Sequence, residues 1–329
     1  MQSELSGPVI AGIAHQRTQF RGIAADGNNM VVSSILQCIG KTPMVNLCQF
    51  GLPHVFAKAE HMNPGGSIKD RVARYLIEEA EREGNLRPGM TIAEATSGNT
   101  GIGVAMVGVL KGYRVVIVMP ENMSEERRKI IRAFGGELAF TSAQGSLGEA
   151  VAKTREMQAS DPGIWLVRQF ENPKNPEVHY RETAGEIWEQ MGGKVDAFVA
   201  GVGSGGTLAG VARFLKERNP GVRIVAVEPK NSAALLGKEP GLHQIQGIGD
   251  GFIPPVLDVS LIDDVEVVTD EDAIDTARAL ARKAGLLVGT SSGANVWAAS
   301  RVSHKPGGER RVVTVLPDRA ERYFSTALI

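Results

Sequence analysis

In the stretch "HMNPGGSIKDR", residues 61–71, a lysine stands where a helix least favours a cation. Pro64, Gly65, Gly66 and Ser67 make a turn, and Ser67 with Asp70 has capping-box spacing, so Lys69 falls in the first helical turn. The positive end of the helix dipole disfavours a cation there by roughly 0.3–1 kcal/mol. An exposed lysine escapes that cost by swinging into water. A lysine needed as a neutral amine would exploit it, because the helix terminus and partial burial both disfavour the ammonium and lower its pKa toward a nucleophile. The position alone does not separate the two.

Two other segments are shaped to receive an anion. "EATSGNTGIG" (94–103) follows a buried-type strand and opens a helix, so Thr96, Ser97, Asn99 and Thr100 bring N–H groups, hydroxyls and an amide to a helix N-terminus. A capped turn needs fewer small polar residues than loop 96–100 supplies, which favours a bound carboxylate or phosphate. "AGVGSGGTLAG" (200–210) follows the strand "DAFVA", and its glycines let backbone amides approach a phosphate closely. Gly201, Gly203 and Gly206 also fit a dinucleotide fingerprint, with Glu228 placed to hold a ribose. A nicotinamide-dependent oxidoreductase would leave Lys69 and loop 96–100 without a role, whereas a monophosphate in the glycine turn leaves a role for each. In "GLLVGTSSGANV" (285–296), Ser291 and Ser292 precede a further helix, either as caps or as a hydroxyl for a ring nitrogen. A lysine amine, a phosphate cradle and a polar partner for a ring nitrogen are what pyridoxal 5′-phosphate requires when held as a Schiff base.

These residues must be carried by alternating strands and helices. Short β-branched runs occur at 54–60, 91–95, 113–119, 137–140, 196–201, 222–228 and 311–317, with helical stretches such as 70–84, 125–136 and 270–285 between them. The alternation predicts an α/β protein with parallel sheets covered on both faces. A break is expected near "QFENPKNPEVH" (169–179), where Asn and Pro interrupt the pattern, and residues 1–32 read as a tail or an arm. The 329 residues, 43% hydrophobic and 22% charged, suffice for two cored domains. A formal net charge of -1 without any basic stripe argues against nucleic acid. No apolar run is long enough for a membrane span and no signal peptide is evident, so a cytoplasmic protein is expected. Cys38 and Cys48, without partners at metal-ligand spacing, are expected to be reduced, buried thiols, and no metal site is expected.

Taken in order, "GKTPMVNL" (40–47), "NPGGSIKDR" (63–71), "TSGNTG" (96–101), "MPENMSEERRKIIRAFGGEL" (119–138), "QFENPKNPEVH" (169–179), "GVGSGGT" (201–207), "IQGIGDGFIP" (245–254), "GTSSGA" (289–294) and "LPDRAERYFST" (316–326) resemble the cysteine synthases, or O-acetylserine sulfhydrylases. The resemblance implies a homodimer with the two-domain tryptophan-synthase-β-like fold of type II pyridoxal phosphate enzymes. Residues 33–62 and 173–329 would form the larger, cofactor-binding domain, and 63–172 a smaller one carrying the lysine and the substrate loop. Lys69 would hold the cofactor as a Schiff base and act as the catalytic base. Gly203, Ser204, Gly205, Gly206 and Thr207 would bind its phosphate, Asn99 its ring oxygen and Ser291 its pyridine nitrogen. The substrate carboxylate would fall to Thr96, Ser97, Thr100 and Gln169. The implied reaction is β-replacement, turning O-acetyl-L-serine and sulfide into L-cysteine and acetate. Cystathionine β-synthase and O-phosphoserine sulfhydrylase share most of these motifs, and serine acetyltransferase is an implied partner. Asp250, in "GIGDGF", stands where the family carries a small residue near the active site, which bears on substrate choice.

Overall fold

The computed structural model describes residues 31–96, 98–121, 124–142, 147–304 and 311–329. Ser97 and residues 1–30 of the expected tail lie outside them. The strands and helices alternate as β1 (Met44–Asn46), β2 (Val55–Lys58), α1 (Lys69–Arg82), β3 (Thr91–Ala95), α2 (Asn99–Leu110), β4 (Arg114–Pro120), α3 (Glu125–Ala133), β5 (Glu137–Thr141), α4 (Leu147–Ser160), β6 (Ile164–Leu166), α5 (Lys174–Val178), α6 (Ala184–Gln190), β7 (Ala197–Gly201), α7 (Gly206–Arg218), β8 (Arg223–Pro229), β9 (Asp264–Val268), α8 (Asp270–Ala284), α9 (Thr290–Ser303) and β10 (Val312–Val315). A single π-helical turn, His179–Thr183, joins α5 to α6.

Two sheets result. One has the order β5-β4-β3-β6, the other β1-β2-β10-β7-β8-β9, and every pairing is parallel except β1 with β2. Strands such as β7 and β8 are buried almost throughout, as parallel strands covered on both faces must be. Along β7, Ala197 and Val199 join one core while Phe198 and Ala200 join another across the sheet, the alternation a pleated strand imposes. A third core sits between α1, α2 and the smaller sheet, where α2 buries nine consecutive residues, Thr100 to Gly108. The chain leaves the smaller sheet after β6 and enters the larger one at β7, passing through the segment where the sequence pattern breaks.

Residues 40–62 stand in the larger sheet: β2 lies between β1 and β10, with Val55 opposite Val312. This puts Lys58 and Glu60 behind α1. There Arg71 bonds Glu60 through Nε (2.7 Å) and Nη2 (2.8 Å) and Glu186 through Nη1 and Nη2 (both 2.7 Å). Lys58 Nζ meets Glu186 at 2.6 Å and donates to Thr42 O and Gln190 Oε1. The cluster ties α1 to β2 and α6, and so fixes the helix that begins with Lys69.

Two local expectations need correction. Ser67 Oγ accepts from the Lys69 N–H (3.2 Å), but the Asp70 carboxylate reaches back past Ser67 to the Gly65 N–H (2.6 Å), so the capping box is not reciprocal. Both cysteines are free, yet neither is buried: Cys38, at the end of the short turn Ile35–Cys38, is partly exposed, and Cys48 is exposed in the turn Leu47–Phe50, where Leu47 takes the core position.

Candidate active site

Lys69 opens α1 at the cleft between the two sheets, and its Nζ donates to Ser204 Oγ at 2.9 Å. The cleft encloses about 820 Å³ counting its open mouth, and its walls include Lys69, Thr96, Asn99, Thr100, Gln169, Gly203, Ser204, Gly205, Thr207 and Ser291. Burial lowers the Lys69 pKa to about 8, while Asp250 and Glu94 pull the other way. The amine is thus far more easily deprotonated than an ordinary lysine, which is the direction the opening motif requires of a nucleophile.

Opposite Lys69, the turn after β7 leads into α7. Gly205 caps the helix with a left-handed φ of +79°, and a side chain on Gly203 would meet Gly247 O at 2.3 Å. At the glycines backbone therefore lines this wall, beside the Ser204 and Thr207 side chains, with N–H groups at the positive end of a 13-residue helix. Gly206 stands apart from the lining: it is the first residue of α7 and packs against Asn175. The amide of Asn175 donates to Gln169 O (2.7 Å) and Ser204 Oγ (3.0 Å), tying the glycine turn to the opposite wall. Thr207 Oγ1 lies 3.3 Å from His179 Nε2, a fully buried imidazole kept neutral mainly by desolvation.

The loop before α2 forms the other wall. Thr96 Oγ1 accepts the Gly98 N–H (3.1 Å), and Thr100 donates to Gln169 Oε1 (2.6 Å), so Thr100 and Gln169 act as one unit. Gln169 follows Arg168, a non-glycine residue at φ +55°. That strained turn is held by Glu94, whose carboxylate accepts the N–H groups of Arg168 (2.9 Å) and Gln169 (3.3 Å). Burial raises the Glu94 carboxyl to about 8 against those two bonds.

Of the two hydroxyls at the start of α9, Ser291 lines the cleft, whereas Ser292 Oγ is buried without a partner among the described residues. Asp250 also lines the cleft: it is open to the cleft's solvent but surrounded by protein, and this environment raises its carboxyl pKa against Lys69 and His243. Glu94, Asn175, His179 and the C-terminal residues Asp318 and Arg322, which hold Asn99, were not singled out by sequence reasoning. Asn175 and His179 did lie in one quoted motif, and Asp318 and Arg322 in another.

The arrangement can hold a monophosphate at α7, a carboxylate at loop 96–100 and a flat group between them within reach of an amine whose pKa burial has lowered. Pyridoxal 5′-phosphate meets those three demands, and the cradle that a Cβ at Gly203 would fill fits its phosphate. Residues 35–318 match the family model described as pyridoxal-phosphate dependent enzyme. A cysteine synthase of Staphylococcus aureus (strain N315) is 47% identical over 301 residues, covering 90% of this chain and 97% of the relative. Among solved structures, O-ureido-L-serine synthase is 43% identical with a TM-score of 0.88, covering 91% of this chain and 95% of that one. An O-acetylserine dependent cystathionine beta-synthase from Helicobacter pylori is 42% identical with a TM-score of 0.86, covering 91% and 99%. The tryptophan-synthase-β-like fold implied by the sequence is the fold these matches support. With most of its length matched by sequence and by structure, the chain belongs to the pyridoxal-phosphate dependent enzymes.

Proposed function

We propose that the chain is a cysteine synthase that replaces the acetoxy group of O-acetyl-L-serine with sulfide, giving L-cysteine and acetate. The observation that carries this reading is the convergence of one depressed-pKa lysine, one helix-terminus phosphate cradle and one carboxylate loop on a single cleft. The cofactor is pyridoxal 5′-phosphate, which supplies an electron-withdrawing ring that stabilises negative charge at the substrate Cα. Lys69 would hold it covalently, and the backbone of 203–207 with the Ser204 and Thr207 hydroxyls would bind its phosphate. Asn99 would meet the ring oxygen and Ser291 the ring nitrogen.

The chain's own residues then divide the work. Thr96, Thr100 and Gln169, with Ser97, bind the substrate carboxylate; the Thr100–Gln169 bond and the Glu94-held turn keep that site formed before substrate arrives. The Lys69 amine takes the Cα proton and later returns it, a role its lowered pKa suits. Phe170, which lines the cleft, packs against Phe252 with ring centroids 5.2 Å apart and helps exclude water from the site. The proposal includes a homodimer, a complex with serine acetyltransferase, and a division into 33–62 plus 173–329 and 63–172. The interleaved sheet order supports that division. A cytoplasmic location is part of the same reading, and among the described residues no helix is long and apolar enough to cross a membrane.

A second reading is favoured by Asp250. Bisulfide gains nothing from a carboxylate in the cleft, whereas the ammonium of a larger amino thiol such as homocysteine does. The Helicobacter relative's name joins an O-acetylserine donor to cystathionine formation. The test is a competition assay with O-acetylserine, serine and O-phosphoserine as donors, each against sulfide and homocysteine. O-acetylserine with sulfide is expected to dominate. If homocysteine wins, and Asp250→Ala selectively raises its KM, the cystathionine reading replaces the first.

A further inference from the structure

The Asn99 side chain meets the cleft at the start of α2, but two residues of the C-terminal segment hold it. Its Nδ2 donates to Asp318 Oδ2 at 2.6 Å, and its Oδ1 accepts from Arg322 Nη1 at 2.5 Å. Flipping the amide would turn its N–H groups on the guanidinium and its carbonyl on the carboxylate, so the two partners permit one orientation only. The carbonyl is thereby turned to the guanidinium and one N–H to the carboxylate, and the second N–H is the donor left for the cleft.

The holders are themselves fixed. Arg322 is buried, and its Nη2 donates to Gly65 O at 2.9 Å, in the turn that leads to Lys69. Asp318 is fully buried, and its Oδ2 also accepts the Tyr323 hydroxyl. Among the described residues its Oδ1 has no hydrogen-bond partner, and it stands over Gly289, where a Cβ would lie 2.3 Å away. The Asp318 carbonyl accepts the Gly289 N–H (3.1 Å), immediately before the helix that carries Ser291. One short segment therefore touches the turn before Lys69, the loop of Asn99 and the start of α9.

We infer that Asp318 and Arg322 are positioning residues that make Asn99 an obligatory hydrogen-bond donor toward the cofactor's ring oxygen. The inference rests on the cofactor reading given above. A donor at that oxygen favours its ionised form, and an acceptor would oppose it. With the guanidinium of Arg322 on its carbonyl and the carboxylate of Asp318 on one N–H, Asn99 has its second N–H to offer as the donor. The Tyr323 hydroxyl shares Asp318 and keeps that carboxylate in place as an acceptor.

The test uses the protein loaded with pyridoxal 5′-phosphate and follows two quantities, the cofactor's dissociation constant and the pH titration of its visible absorption band. Arg322→Leu and Asp318→Asn are each expected to weaken cofactor binding about tenfold, the loss of roughly one charge-assisted hydrogen bond, and to move the titration midpoint to higher pH. Arg322→Lys, which keeps a cation on the Asn99 carbonyl, should restore most of both. Should Arg322→Leu fail to fold, Tyr323→Phe removes one of the two donors to Asp318 and should shift the band in the same direction by less. Unchanged affinity and titration in Arg322→Leu and Asp318→Asn, beside a clear change in Asn99→Ala, overturn the inference and leave the cofactor reading standing. An unmodified chain that binds no pyridoxal phosphate overturns both.

Discussion

Two cations stand two residues apart on α1, and the protein treats them oppositely. Arg71 points to the rear, is fully buried, and is held firmly charged: desolvation works against it, but Glu60 and Glu186 more than compensate. Lys69 points to the cleft, where among the described residues a hydroxyl is its side chain's only hydrogen-bond partner, and desolvation lowers it to about 8. Burial is common to both, and the difference lies in what faces them. A carboxylate pair with matched geometry turns a buried cation into a structural anchor. Withholding that pair leaves an amine ready for chemistry. The helix start that looks unfavourable in the sequence is tolerable because the anchored residue next to it holds the helix in place.

The contrast breaks most completely at Lys69 itself. Lys69→Ala should reduce β-replacement at least about 10³-fold in steady-state assays, with cofactor retained only noncovalently; borohydride reduction and peptide mapping of the unmodified chain should label Lys69. At the rear, Glu60→Ala strips Arg71 of one carboxylate and should destabilise the fold by about 3–5 kcal/mol, read as a lowered denaturant midpoint. A loss below about 1 kcal/mol would mean that Glu186 suffices alone.

The front can be sharpened without abolishing it. In cofactor-free protein, acylation of Lys69 by a small anhydride should rise through pH about 8. Asp250→Asn removes a charge that favours the ammonium and should move that rise to lower pH by less than about one unit. A rise near 10.5, the ordinary lysine value, would show that the amine is not tuned.

The smallest effect belongs to Glu186, whose carboxyl Arg71 and Lys58 hold down at about 2 against the opposing pull of burial. A pKa depressed by folding means that the folded chain prefers the ionised form. Its stabilising contribution is therefore present above about pH 4.5 and is lost as pH falls toward 2. Glu186→Gln should lower stability at neutral pH and flatten that part of the stability profile, measured by denaturant midpoints across the acid range.

Much of this was legible from residues in a row. The runs at 91–95 and 270–285 match β3 and α8 to within one residue, because β-branched continuity and amphipathic spacing with an acidic start are local signals. Strand β9, "DVEVV", escaped because alternating charges make it look like a loop edge, and β1 and β6 are only three residues long. Lys69 and the two cradles declared themselves through glycine, hydroxyl and helix-start patterns. The residues that hold the cradles did not: Asn99 meets Asp318 across 219 positions and Lys58 meets Gln190 across 132. No spacing rule reaches that far. Glu94 is silent for another reason, since its role depends on the positive φ of Arg168, a backbone property that side-chain types do not encode.

The pairing of β2 with β10 governs the order in which the molecule can be made. The smaller sheet is drawn from one continuous stretch between Thr91 and Leu166, so its strands can assemble as soon as they leave the ribosome. Val55, by contrast, must wait for Val312, a delay on the order of 10–50 s at ordinary rates of synthesis. During that interval β2 offers an open edge to other nascent chains. The last strand closes that edge and also delivers Asp318 and Arg322 to Asn99. Completion of the larger sheet and completion of the cleft are therefore the same event, and a chain truncated before β10 lacks both.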